Sequence, residues 1–437
     1  MWTPSSDGSS ETRPREGFSD RLLKLVVGQV VKRGTLAVTT ASGARFTVGD
    51  GTLPKVAIRF ADQGAQIALM LDPDLRLGEL FMDERLTVEE GSIYDLLQLA
   101  LQDTRGARPT LPAKTLVRLR RLARRLAPAN TARRAKRNVA HHYDLDGRLY
   151  ALFLDRDRQY SCAYFERPDA TLEEAQLAKK RHIAAKLLIK PGHQVLDIGS
   201  GWGGLGLYLA EVAGAARVKG ITLSEEQLTE SRRRAAERGL QGQVTFELED
   251  YRATRGTFDR IVSVGMFEHV GRDSYDSYFA ACRDLLADDG VMLLHTIGRA
   301  GPPWPTNPWI KRYIFPGGYL PALSELTTAI ERSGLFVTDV EVLRLHYAET
   351  LRAWRSRFLA HREEAAKLYD ERFCRMWEFY LAASEATFRF EDTVVFQVQL
   401  AKRNDVVPLT RDYIGAEEQR LREAEARIPT RPAIAAE

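Results

Sequence analysis

The chain lacks the features that mark an exported or membrane-spanning protein. It has three cysteines in 437 residues, Cys162, Cys282 and Cys374, too few and too far apart for a disulfide framework and without the paired spacing of a zinc site. A reducing compartment and no metal are expected. No apolar run approaches the roughly eighteen uncharged residues that a membrane-spanning helix needs, and the polar, Ser-rich first sixteen residues carry no signal-peptide core. The expected location is the cytoplasm. No global charge dictates a partner either, because 63 basic and 59 acidic residues leave a net charge of only +4.

What is present suffices for two or three domains, since 44% of the residues are hydrophobic, which excludes disorder for most of the chain. Residues 1–17 read as a disordered N-terminus. From 35 to 60, short alternating runs (Leu36, Val38; Phe46, Val48; Val56, Ile58, Phe60) separated by glycines predict a small antiparallel sheet with hairpin turns. Residues 75–99 carry apolar side chains at helical spacing. Residues 18–103 are therefore expected to form an α+β domain, without a cluster of catalytic residue types.

Residues 104–143 hold twelve Lys or Arg and no Asp or Glu. Leu116, Leu119, Leu122 and Leu126 recur at helical intervals among Arg118, Arg120, Arg121, Arg124 and Arg125, so 104–137 reads as a basic amphipathic linker helix. Such a helix can lie on an anionic membrane or pack its leucines on the protein itself. Nucleic acid is disfavoured, because no aromatic interleaving or base-reading motif accompanies the charge.

From residue 190 strands and helices alternate: strands at 194–198, 218–222, 244–248, 259–264 and 291–297, helices at 205–213, 225–238 and 275–286. Repeated βα units predict a doubly wound parallel sheet with its ligand site at the carboxyl ends of the strands. Residues 351–388 are helical in pattern and 394–400 reads as a last strand. Residues 404–437 are charged and helix-forming without a core pattern, and read as a tail.

The first strand runs into Asp197-Ile198-Gly199-Ser200-Gly201-Trp202-Gly203-Gly204, a glycine-rich turn opening a helix, where a ligand can touch the backbone. Its third glycine comes too early for the dinucleotide fingerprint. Alone, the loop could also be a plain tight turn, the less favoured of the two readings. Acidic-x-Gly-x-Gly after the first strand resembles the S-adenosylmethionine loop of class I methyltransferases, with Glu249-Asp250 where that superfamily meets the adenosine end.

Five motifs sharpen the resemblance: Tyr160-Ser161-Cys162-Ala163-Tyr164, the stretch 195–204, Ser263-Val264-Gly265-Met266-Phe267-Glu268-His269-Val270-Gly271, Leu294-His295-Thr296-Ile297-Gly298, and Lys311-Arg312-Tyr313-Ile314-Phe315-Pro316-Gly317-Gly318. In this order they resemble the cyclopropane-fatty-acyl-phospholipid synthases, over residues 138–403, while 18–103 resembles the sterol-carrier-like, lipid-associated domain of bacterial members. His141, His142, Tyr143 and Asp144 are similar to the family's His-Tyr-Asp segment, although 145–150 depart from the text that follows it there.

The resemblance implies a Rossmann-like methyltransferase domain using S-adenosylmethionine. Tyr160 and Ser161 would hold its methionine carboxylate, Asp197, Gly199 and Gly201 would form the loop beneath it, Thr222 and Gln227 would face the ribose, and Asp250 and Tyr251 would border the adenine. It further implies a bicarbonate ion held by Cys162, Glu268, His295, Ile297 and Tyr347, with Cys162 and Ile297 acting mainly through their backbone. Taken singly, Cys162 reads as a buried small hydrophobe, His295 as a satisfied core histidine and Glu268 as a capping carboxylate. The implied reaction adds a methylene to a cis double bond of an unsaturated phospholipid at an anionic membrane surface. Tyr143, Phe267 and Tyr347 are candidates to face the intermediate cation. Residues 302–319, rich in Pro and aromatics, either line an acyl channel or cover the sheet.

A methyl-branched or methylene-bearing product is the nearest alternative. An inactive lipid carrier and a small-molecule methyltransferase are further ones. A homodimer is left open, and peripheral association with the inner face of the membrane is expected.

Overall fold

A computed structural model of the chain describes residues 16–103 and 147–428. The N-terminus up to residue 15, the basic segment 104–137, the His-Tyr-Asp segment and the last nine residues lie outside them. The chain divides into two compact units, the break falling after Thr115.

The N-terminal unit runs α1 (Phe18–Val30), β1 (Thr35–Thr39), β2 (Arg45–Gly49), β3 (Lys55–Phe60), α2 (Gln63–Leu71), α3 (Pro73–Met82), β4 (Leu86–Glu90) and α4 (Ile93–Leu101). Its sheet has the order β2-β1-β3-β4, with β1 and β3 parallel and the other pairs antiparallel. The expected all-antiparallel sheet is corrected here. The Gly34 N–H donates to Asp50 Oδ1 (2.9 Å) and Thr35 N–H to the Pro54 carbonyl (2.9 Å). The chain after β2 therefore crosses the start of β1 and returns on its other side in the same direction. Helical periodicity over 75–99 is likewise interrupted by β4, whose alternate residues Leu86 and Val88 face inward while its other positions are exposed. A capping box then starts α4: Ser92 Oγ accepts from the Asp95 N–H, and the Ser92 N–H donates to the Asp95 carboxylate.

The second unit contains α5 (Gly147–Phe153), α6 (Leu172–Leu187), β5 (Gln194–Ile198), α7 (Gly204–Glu211), β6 (Arg217–Thr222), α8 (Glu225–Glu237), β7 (Val244–Leu248), β8 (Phe258–Val264), α9 (Tyr275–Leu285), β9 (Leu286–Arg299), α10 (Pro308–Tyr313), α11 (Leu323–Ser333), β10 (Phe336–Leu343), α12 (His346–Ala360), α13 (Arg362–Leu368), α14 (Glu371–Phe390), β11 (Thr393–Ala401) and α15 (Asp412–Arg427). Seven strands form one sheet, ordered β10-β11-β9-β8-β5-β6-β7. It is mixed rather than wholly parallel, because β11 runs antiparallel to both neighbours. Alternate residues of the central strands serve opposite faces. Leu196, Ile261, Met292 and Leu294 pack against α9 and α11, and Val195, Val262 and Leu293 against α6, α7 and α8. A sheet covered on both faces explains why these strands read as continuous apolar runs.

Within the expected tail, residues 404–428 are not simply a tail. Helix α15 docks on α6, burying Ile414 and Leu421 in the same core as Val195. Charge completes the joint: Arg181 pairs with Glu425 (2.8 Å), Tyr208 donates to Glu425 (2.6 Å), and His182 sits between Glu341 (2.7 Å) and Glu418 (2.6 Å). Two apolar residues a heptad apart on a polar helix leave no legible core stripe.

Candidate active site

The carboxyl ends of β5, β6, β7 and β8 open onto a cleft of about 1160 Å³, its open mouth included. After β5 the chain turns into α7 through Gly199 and Gly201, both at positive φ (83° and 52°). The Gly199 and Ser200 N–H groups donate to the Ile221 carbonyl at 2.9 and 3.0 Å, which fixes the turn against β6. A Cβ at Gly199 would lie 2.7 Å from Met266 Cβ, whereas at Gly201 it would meet nothing within 4 Å. Gly201 thus keeps the floor of the cleft bare at a backbone conformation that L side chains rarely adopt.

All nine residues expected to hold the cofactor line this cleft: Tyr160, Ser161, Asp197, Gly199, Gly201, Thr222, Gln227, Asp250 and Tyr251. Asp197 is buried, its Oδ2 has no hydrogen-bond partner among the described residues, and burial raises its pKa to about 7. A cationic ligand group beside it would remove that desolvation penalty. Thr222 donates to Gln227 Oε1 (2.9 Å), fixing the polar pair at the end of β6. Asp250 is engaged twice by the Arg252 guanidinium (2.8 and 2.6 Å), and its pKa lies below the usual carboxylate range despite burial. Tyr160 bonds to the Tyr380 hydroxyl at 2.9 Å and stacks on Trp354. A bare glycine floor, an unpartnered buried carboxylate oxygen and polar walls fit S-adenosylmethionine, which is cationic and polar at one end and nucleoside-like at the other.

The five residues expected to hold an anion do not line the cleft, but adjoin it. Glu268 lies in a short turn between the cleft residues Met266 and His269. Its Oε1 accepts from the Ile297 N–H at 2.6 Å, its Oε2 has no partner among the described residues, and burial raises its pKa to about 7. The Ile297 N–H thus holds Glu268 rather than standing free for an ion. His295, two residues before Ile297 on β9, is buried and held neutral, its pKa lowered to about 3 by burial. Its tautomer follows from its neighbours. Lys186 can only donate to Gln397 Oε1 (2.9 Å), so the Gln397 amide donates to His295 Nδ1 (3.2 Å) and the ring proton is assigned to Nε2. Nε2 has no partner. The Cys162 thiol is buried and pushed up by desolvation, which makes it an inert group. Tyr347 shares Trp354 with Tyr160, the ring centroids lying 5.8 and 5.2 Å from it.

Two aromatic expectations change. Phe267 is fully buried, stacked on Tyr275 at 4.4 Å within the core, so its ring serves packing. Trp309 is buried against Phe379, so this part of the Pro-rich insertion covers α14, while the Tyr319 N–H at its end donates to the Glu268 carbonyl (3.0 Å). Tyr143 lies outside the described residues. Sequence reading missed Lys179, Lys186, Gln397, Tyr380 and Trp354. Their only signal was unusual polarity, or aromatic bulk, on elements that had to be buried.

The family model described as mycolic acid cyclopropane synthetase matches residues 130–398. The chain belongs to that family. It is 40% identical over 336 residues to the cyclopropane-fatty-acyl-phospholipid synthase of Escherichia coli K12, covering 76% of this chain and 85% of the relative. Identity to the tuberculostearic acid methyltransferase UfaA1 of Mycobacterium tuberculosis is 39% over 330 residues, covering 72% and 74%. Among solved structures, the cyclopropane synthase MmaA2 from M. tuberculosis superposes with a TM-score of 0.58 at 35% identity, covering 61% of this chain and 98% of that one. The mycolic acid cyclopropane synthase CmaA1 complexed with SAH and CTAB gives 0.57 at 35% identity, covering 61% and 97%. As a member of the mycolic acid cyclopropane synthetase family, the chain is an S-adenosylmethionine-dependent methyltransferase with a Rossmann-like sheet.

Proposed function

We propose that the enzyme converts a cis double bond of an unsaturated phospholipid acyl chain into a cyclopropane, with a bicarbonate ion oriented by Glu268 and His295. The observation that carries this reading is the pair of buried, unpartnered polar atoms, Glu268 Oε2 and His295 Nε2, beside the cofactor cleft. When bound, S-adenosylmethionine supplies an electrophilic methyl group. An alkene is a weak nucleophile, so this chain's part is to position the reactants and exclude water. Tyr160, Ser161 and the Gly199–Gly201 turn would seat the cofactor, and Thr222, Gln227, Asp250 and Tyr251 its nucleoside end. Methyl addition leaves a positive charge on the acyl chain, and a proton of the new methyl would pass to the bicarbonate ion, leaving the C–H electron pair to close the ring. Glu268, raised to about 7 by burial, can exchange a proton with the ion near neutral pH, as an amide in its place could not. His295 Nε2–H offers a second, neutral donor. Cys162 and Tyr347 would close the site from the opposite wall.

Support for the lipid substrate comes from the relatives' names, and a phospholipid in a bilayer requires the enzyme to approach the membrane. Among the described residues no helix is long and apolar enough to cross one. The acid-free basic segment 104–143 supports peripheral attachment to an anionic surface, with the N-terminal unit as an accessory lipid-associated module and the inner face of the membrane as the place of work. A homodimer is compatible with this reading.

A second reading, a methyl-branched alkene or exocyclic methylene product, is favoured by the nearly equal identity to the tuberculostearic acid methyltransferase. Both products gain the same atoms, so mass does not separate them. Lipids from a host making the enzyme should show upfield cyclopropyl protons by NMR with the olefinic signals lost. Persistent olefinic or exocyclic methylene protons at full conversion would favour the branched product, with fold and cofactor unaffected.

A further inference from the structure

Helix α6 presents two polar side chains one turn apart, Gln176 and Lys179, to the strip 159–161 that walls the cofactor cleft. Gln176 Nε2 donates to the carbonyls of Gln159 (3.2 Å) and Ser161 (3.0 Å). Lys179 is fully buried, and its ammonium donates to Gln159 Oε1 (2.6 Å) and Ser161 Oγ (2.9 Å). Among the described residues it makes no ion pair. The acidic group whose field it feels most is Asp155, whose oxygens accept from the Asp157 and Gln159 N–H groups. A buried ammonium without a contacting carboxylate is costly, and burial lowers its pKa to about 8.

We propose that Lys179 is a positioning residue for the cofactor, fixing the Ser161 hydroxyl as a donor toward the methionine carboxylate and supplying the positive charge that this carboxylate meets. The inference rests on the reading that Ser161 holds that carboxylate. An ammonium has no lone pair, so Ser161 Oγ must accept from Lys179, and the hydroxyl proton must point elsewhere. Ser161 lines the cleft, where a carboxylate is the acceptor that this proton and the nearby charge together select. Lys179 is thus to Ser161 what an outer partner is to a metal ligand: it sets which way the contacting group faces.

The test is calorimetric titration of S-adenosylmethionine and of decarboxylated S-adenosylmethionine into the wild type, Lys179→Met, Ser161→Ala and the double variant. Lys179→Met should weaken S-adenosylmethionine about tenfold or more, the scale of a hydrogen bond to a charged group, and change the decarboxylated analogue less than about twofold. The double variant should bind little worse than Lys179→Met, because both changes remove one interaction. Equal losses for both ligands, or losses that multiply in the double variant, would overturn the inference. If Ser161→Ala binds both ligands as the wild type does, the carboxylate assignment fails and the inference with it. Lys179→Gln serves in the same titrations if Lys179→Met does not fold.

Discussion

The backbone N–H of Ile297 donates to Glu268 Oε1 at 2.6 Å, joining the β9 strand to the turn after β8. One carboxylate oxygen is consumed in holding the side chain, and the other, Oε2, is left buried without a partner among the described residues. An unpaired buried acceptor is retained at a cost. Here the cost lies beside the cofactor cleft, where the proposed bicarbonate ion would supply the missing bond.

Glu268→Gln should lower turnover on unsaturated phospholipid vesicles roughly a thousandfold, in the range found when one group stabilising a transition state is lost. The amide keeps an acceptor for the Ile297 N–H, so cofactor affinity measured by calorimetry should be unchanged. Wild-type rates in a bicarbonate-controlled assay would remove Glu268 from the mechanism.

The same substitution should stabilise the ligand-free protein at high pH. Burial raises Glu268 from an ordinary value of 4.5 to about 7. Between these values the folded state binds a proton that the unfolded state has lost, so stability falls as pH rises through this window. The full penalty, present above it, is on the order of 3 kcal/mol. Thermal melts should therefore show Glu268→Gln above the wild type at pH 8 and level with it near pH 4. A constant difference at both would mean that the carboxylate is not raised.

Replacing Arg120, Arg121, Arg124 and Arg125 with Gln should weaken binding to anionic vesicles, each basic residue near such a surface being worth roughly 1 kcal/mol before screening. Wild-type binding should fall steeply with salt, and activity on membranes should fall with binding while cofactor affinity holds. Vesicle sedimentation that is identical for both proteins at every salt concentration would exclude this segment from membrane attachment.

Leu421→Ala should cost about 2–4 kcal/mol in denaturant unfolding, because Leu421 is fully buried where α15 meets α6. A change below about 0.5 kcal/mol, the scale of a surface substitution, would mean that α15 is not docked in solution.

The inner strands 194–198, 218–222 and 259–264 were legible because they are short, largely apolar runs bounded by turn residues and buried on both faces, and the edge strand 244–248 because buried Val244 and Phe246 alternate with more exposed residues. Strand β10 was not. It lies at the sheet edge with half-exposed positions such as Phe336 and Val337, so it carries neither a continuous apolar run nor clean alternation. The nine residues expected at the cofactor were legible for a different reason: they sit on short local motifs, and all nine line one cleft.

Local text was thus enough for the βα core, the glycine loop and the family motifs, since each depends on neighbours within a few positions. Folding alone decided what the long-range pairs do. Ile297 reaches back to Glu268, Gln397 orients His295 from the strand beside it, Lys179 turns Ser161, and Glu425 reaches Arg181 across 244 positions. Polar residues of this kind carry no periodic signature. Their partners are set by which elements pack together, and only burial in a low-dielectric interior makes each pairing obligatory.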